Sequence, residues 1–100
     1  MTTTDGVKVI KSYYNSAFCS APTRHWRGVM NGAQRIIEAH ILEDTDDYFV
    51  VDRDAWAQAM QKLAYLPAGG RHVAEERRLM SWRLQKALKE NNHDAHTNAA

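Results

Sequence analysis

Apolar residues recur every three or four positions in four stretches of this chain, the spacing that lines one face of a helix. In the first, Val7, Ile10, Tyr14, Ala17 and Phe18 keep that period behind a choice of caps at Thr3, Thr4 or Asp5, which predicts a helix over about 5–18. Residues 19–22 break it, and Pro22 suits the start of the next helix because its missing N–H costs little there. The second stretch holds the longest stripe: Trp26, Val29, Met30, Ala33, Ile37, His40 and Ile41 predict a helix over about 22–43. Beside that stripe runs a strip of His25, Gly28, Gly32, Ile36 and Ala39. A glycine inside a helix costs about 1 kcal/mol relative to alanine. The strip therefore predicts a neighbouring backbone close by, with this helix at the centre of the fold; a kink or an early helix end is the alternative.

Residues 48–51 are four apolar residues in a row after turn-forming aspartates, too short to assign by period. With no convincing second strand to pair with, they are expected to form a buried connector. Asp52 then caps a helix over about 53–66, with Asp54 in its first turn and Trp56, Ala59, Met60, Leu63 and Leu66 facing inward. Pro67, Gly69 and Gly70 stop that helix, and Val73, Met80, Leu84, Ala87 and Leu88 predict another over about 71–90. The expected fold is all-α: one compact four-helix domain over 1–91 with the 22–43 helix central, and a flexible tail at 92–100.

Composition adds little to that picture and charge adds more. The chain is 44% hydrophobic and 25% charged, the usage of an ordinary globular domain. Its net charge of +1 divides unevenly. Residues 1–42 carry five basic and two acidic groups, residues 43–70 two basic and six acidic, and residues 71–100 six basic and four acidic. That division suits neither a DNA mimic nor a nonspecific nucleic-acid binder, so charge-driven contacts must be local. The lone Cys19, the lack of a signal-like start and the short apolar runs predict a cytoplasmic chain that does not span a membrane.

No stretch spells a catalytic or cofactor motif. Cys19 and His25 straddle a break and fix no nucleophile–base geometry, so Cys19 reads as a small apolar junction residue. A calcium loop begun at Asp44 would need Gly sixth and Glu twelfth, where Phe49 and Ala55 stand. His93 and His96 lie in the expected tail with no cysteine pair near, and His40 reads as a hydrogen-bonded core residue. No metal, cofactor or enzymatic activity is expected.

The residue that stands out is Trp82. Wound as a helix, the last segment places Arg71, Glu75, Arg78, Trp82, Lys86 and Lys89 opposite the apolar stripe, with Leu79 at the flank. Either another segment, such as 48–51, covers the indole, or it stands in solvent between cations four residues away on each side. An exposed Trp flanked by Arg and Lys has the composition of a binding hot spot. On this reading Arg71, Arg78, Trp82, Lys86 and Lys89 form one partner-binding face, and Asp44, Asp46 and Asp47 a second contact of opposite charge. The expected function is a non-enzymatic adaptor or steric inhibitor of a larger protein or nucleoprotein complex. One instance would be a phage-type inhibitor of a bacterial defence complex such as a CRISPR effector. A small helical nucleic-acid-binding protein is the alternative, and a homodimer seam on the first helix or the glycine strip is a further option.

Overall fold

A computed structural model describes residues 6–19, 21–66 and 70–99, with side chains through Leu88. The fold is mixed rather than all-α: strand β1 (Gly6–Ile10), helix α1 (Lys11–Ala17), helix α2 (Arg24–Glu38), strands β2 (Ile41–Asp44) and β3 (Tyr48–Asp52), and helices α3 (Arg53–Ala64) and α4 (Arg71–Ala99). The strands form an antiparallel sheet in the order β1-β3-β2. The segment expected as a connector is thus the middle strand of a sheet, and the expected first helix is half strand.

The physical reason lies in β1. Val7 and Val9 alternate with Lys8, and the β-branched residues suit a pleated surface with one side buried. They stand opposite Val51 and Phe49 of β3, and all four are buried. Ile10 ends the strand and α1 starts at the next residue, so a period of two passes into one of 3.6 without a linker. Ile10 at the N-cap of α1 makes no side-chain capping bond; the Lys11 amide donates instead to the Asp47 carbonyl at 2.9 Å.

Helix α2 begins two residues after Pro22, with Thr23 Oγ1 accepting from the Trp26 amide at 3.1 Å. It ends five residues earlier than expected because the sheet claims the chain beyond it. The His40 carbonyl accepts from the Asp52 amide at 3.0 Å, and Ile41 lies opposite Val51. His40 is exposed rather than core, its ring Nδ1 2.8 Å from the Ile36 carbonyl. The stripe itself is as expected at its centre: Trp26, Met30, Ala33 and Ile37 are buried.

Helix α2 is not the central element. It packs chiefly on α3, while α4 packs on α1 and β1, so the buried face of the sheet joins two helix pairs. Nor does a backbone press on the glycine strip. A Cβ at Gly28 would meet nothing within 4 Å, and one at Gly32 would meet the flexible end of Lys62, with Cε at 2.7 Å. Gly28→Ala should therefore stabilise the protein by about 0.5–1 kcal/mol in denaturant titration, through helix propensity alone. Gly6 does sit in a crowded place, since a Cβ there would collide with Val50 Cγ1.

The remaining helices keep close to expectation. Asp52 accepts from the Ala55 amide at 3.1 Å and caps α3. Gly70 takes φ +84°, a left-handed value that favours glycine, and its carbonyl accepts the Ala74 amide as α4 begins. The backbone of α4 is helical to Ala99, through the segment expected as a tail. Pro67 and Gly69 lie outside the described residues.

Tyr14 packs its ring 4.9 Å from both Phe18 and Phe49, yet among the described residues its buried hydroxyl makes no hydrogen bond of ordinary geometry, although Gln34 and Glu38 lie beside it. Burial, then the nearby Glu38 carboxylate, pushes its pKa well above the usual 10.0. The folded state keeps the phenol protonated where the unfolded chain ionises, so this contribution is fully present below pH 10 and lost as pH rises above it. Tyr14→Phe should leave stability at neutral pH unchanged or raise it by up to about 1 kcal/mol, because an unsatisfied polar group is removed. Urea titrations on both sides of pH 10 should show a weaker alkaline loss in the variant than in the wild type.

Candidate functional site

Helix α4 buries Met80, Leu84 and Ala87 against the body, with Val73 and Leu88 partly covered. At 100° per residue the opposite side carries Arg78, Trp82 and Lys86. Trp82 is 56% exposed and Leu79 44%. Residues 48–51 do not cover them, because that segment is held between β1 and β2.

The cations of α4 divide by what they touch. Arg77 donates through Nη1 to the Leu66 carbonyl and through Nη2 to the Ala64 carbonyl at 2.6 Å, closing the C-terminal end of α3. Arg83 Nη1 donates to the Ser16 carbonyl at 3.2 Å, and Arg27 of α2 to the Phe18 carbonyl at 3.4 Å, together closing the end of α1. Free carbonyls and the negative end of the helix dipole make these ends natural seats for a guanidinium. Three arginines are therefore structural. Among the described residues, Arg71, Arg78 and Lys86 make no ion pair or side-chain hydrogen bond. Arg71 and Arg78 are exposed and Lys86 is partly so. The side chain of Lys89 lies outside the described residues.

The acidic turn is a separate feature. Thr45 builds it: its amide donates to the Tyr48 carbonyl at 2.9 Å and its Oγ1 accepts from the Tyr48 amide at 3.1 Å. Asp46 and Asp47 are exposed at the tip, while Asp44 pairs with Lys11 Nζ at 2.7 Å. The turn is thus tied to the start of α1, and no hydrogen bond or ion pair joins it to α4 among the described residues. Next to it, Lys8 Nζ lies 4.3 Å from the centre of the Tyr48 ring. The Glu43 carboxylate pushes the exposed Tyr48 phenol up.

One feature escaped the pattern of the sequence. Because α3 packs on α2 and α4 on α1, an open groove of about 360 Å³ remains between α3 and α4. Trp56, Met60 and Leu63 line one wall, and Met80, Leu84 and Leu88 the other. Periodicity placed all of these on inward faces, which is correct for each helix taken singly; it carries no information on whether two inward faces meet.

Cys19 lies between α1 and α2, as a junction residue should, but is exposed, its Sγ 3.2 Å from the Ser16 carbonyl. Among the described residues no three His, Cys, Asp or Glu side chains gather where they could hold a metal ion. No helix among them is long and apolar enough to cross a membrane. Comparison of the chain with protein-family models, with characterised proteins and with solved structures finds no match.

Proposed function

We propose that this chain is a cytoplasmic, non-enzymatic binding module that grips a larger protein or nucleoprotein complex through the outer face of α4. The observation that carries the reading is a half-exposed indole at Trp82, with the cations Arg78 and Lys86, which make no ion pair among the described residues, one helical turn away on either side. Large apolar area with few rotors supplies affinity, and the cations set orientation and association rate. Arg71 extends the face along the helix, and the helical repeat puts position 89, Lys89 in the sequence, on the same side. The acidic turn offers a second contact through Asp46 and Asp47, with Asp44 held by Lys11. An adaptor would use such an anchor to join two components. A steric inhibitor, such as a phage product directed at a CRISPR effector or another bacterial defence complex, would use it to occlude a site.

The test is affinity purification from native lysate followed by mass spectrometry, with the wild type and Trp82→Ala as paired baits. A complex retained by the first and lost by the second supports the reading. Equal recovery by both sinks it. Cations interleaved with an aromatic residue also suit stacking and phosphate contact, which favours a nucleic-acid partner as the second reading. That reading requires affinity to fall steeply and linearly with salt on logarithmic axes. Absence of any mobility shift with duplex or single-stranded oligonucleotides at low salt would remove it.

A further inference from the structure

We infer that the outer face of α2, with the adjoining end of α3, binds single-stranded nucleic acid: Arg24, Arg35 and Lys62 meet its phosphates, and a base stacks on Tyr65. At 100° per residue Arg24, Gly28, Asn31 and Arg35 fall on one line, opposite the buried stripe of Trp26, Met30, Ala33 and Ile37. All four are exposed. Helix α3 runs antiparallel beside them, since the Asp52 amide reaches the His40 carbonyl at one end and the Lys62 side chain lies over Gly32 further along. One turn beyond Lys62, Tyr65 therefore stands level with Gly28, and it is 78% exposed. Among the described residues Arg24, Arg35 and Lys62 make no ion pair or side-chain hydrogen bond. Glu38 and Asp54 bound the face at the end where α2 finishes and α3 starts. Trp82 lies on α4, which packs chiefly on α1 and β1, so this surface is separate from the outer face of that helix.

Charge, polarity and shape argue for the occupant. Helix α2 carries three arginines and a single carboxylate, Glu38, at its last position. The exposed line of Arg24, Gly28, Asn31 and Arg35 offers no aliphatic anchor of the kind on which protein interfaces centre. It is polar and basic, as surfaces that meet phosphates are. A Cβ at Gly28 would meet nothing within 4 Å, so no contact inside the molecule accounts for a residue that weakens the helix. A glycine there lets the backbone of another molecule come close. From Arg24 to Arg35 the line runs about 16 Å, roughly five phosphates of a stacked strand at about 3.4 Å of rise each. Tyr65 selects a single strand, because its ring can stack only on a base that has left its neighbours. A second copy packed on this face would oppose Arg24 and Arg35 to their own equivalents, which disfavours it.

The experiment is fluorescence anisotropy of the full chain with a labelled oligothymidylate of roughly 15 nucleotides, the corresponding duplex and a labelled polyglutamate. Expected is saturable binding of the single strand at low salt, stronger than that of the duplex or the polyglutamate. With three cations engaged, log affinity should fall against log salt with a slope of about −2. Arg24→Gln combined with Arg35→Gln should reduce that slope to about −0.7. Tyr65→Ala should weaken binding by about fivefold or more, and the thermal melts of these variants should match the wild type, since all three positions are exposed. Gly28→Leu should melt higher yet bind more weakly, a split that a purely structural glycine would not produce. Trp82→Ala should bind the single strand like the wild type. No anisotropy change at low salt overturns the inference, as does equal or tighter binding of the duplex or the polyglutamate. So does binding that survives the α2 and Tyr65 changes intact, or that is lost in Trp82→Ala, which would place the contact on α4.

Discussion

Trp26→Ala is expected to destabilise the protein by about 3–5 kcal/mol, the usual range for truncating a fully buried tryptophan. Trp26 is 1% exposed and opens the stripe of α2 that continues through Met30, Ala33 and Ile37. It sits in the first turn, where its amide is held by Thr23, so the side chain is fixed at the end of the helix nearest the α1–α2 junction. The surrounding helices cannot close the gap without losing contacts elsewhere, and the cavity adds to the lost transfer energy. For a domain of this size the loss corresponds to a fall in Tm of roughly 15–30 °C. A domain with 5–15 kcal/mol in hand would lose a large share of its stability. Thermal and urea unfolding followed by circular dichroism measure it. A cost below about 1 kcal/mol would show that α2 does not pack as described.

The same residue marks what the sequence made legible. Within α2 and α3 the period of 3.6 is uninterrupted and the caps are local, so Trp26, Met30, Ala33 and Ile37, and the Asp52 cap of α3, could be read directly. The sheet could not. Val7, Ile10 and Tyr14 lie three and four apart, so a helical stripe runs across a junction where strand passes to helix with no intervening residue. Ile41 continues the stripe of α2 by falling four residues after Ile37, although it belongs to β2. The 48–51 run pairs on one side with β1, about 40 residues away, where distance leaves no mark beyond alternation too brief to outweigh a helical period, and on the other with β2 across a short turn, where Leu42, Glu43 and Asp44 are all exposed and show no alternation of their own. Trp82 was legible as a face and not as a surface, because exposure depends on what else reaches α4. The groove was illegible for the same reason, since it depends on how far apart two helices lie.

Trp82→Ala should have the opposite profile to Trp26→Ala. Thermal stability should change by no more than about 0.5 kcal/mol, the usual limit for a surface position away from caps and buried networks. The buried side of α4 is filled by Met80, Leu84 and Ala87, so the fold places no packing demand on an indole at position 82. Affinity for the co-purifying partner should fall by about 2 kcal/mol or more, close to thirtyfold, as for a central aromatic anchor. Most of that loss should appear as faster dissociation, because the apolar area acts only after contact is made. Arg78→Glu combined with Lys86→Glu should act mainly on the other limb, slowing association and altering its dependence on salt. Surface plasmon resonance at two salt concentrations separates the two. If Trp82→Ala melts several degrees early while partner binding is unchanged, the indole serves the fold and the anchor lies elsewhere. If both variants change association alone, the contact is one of charge, and a phosphate backbone becomes the better candidate for what α4 meets.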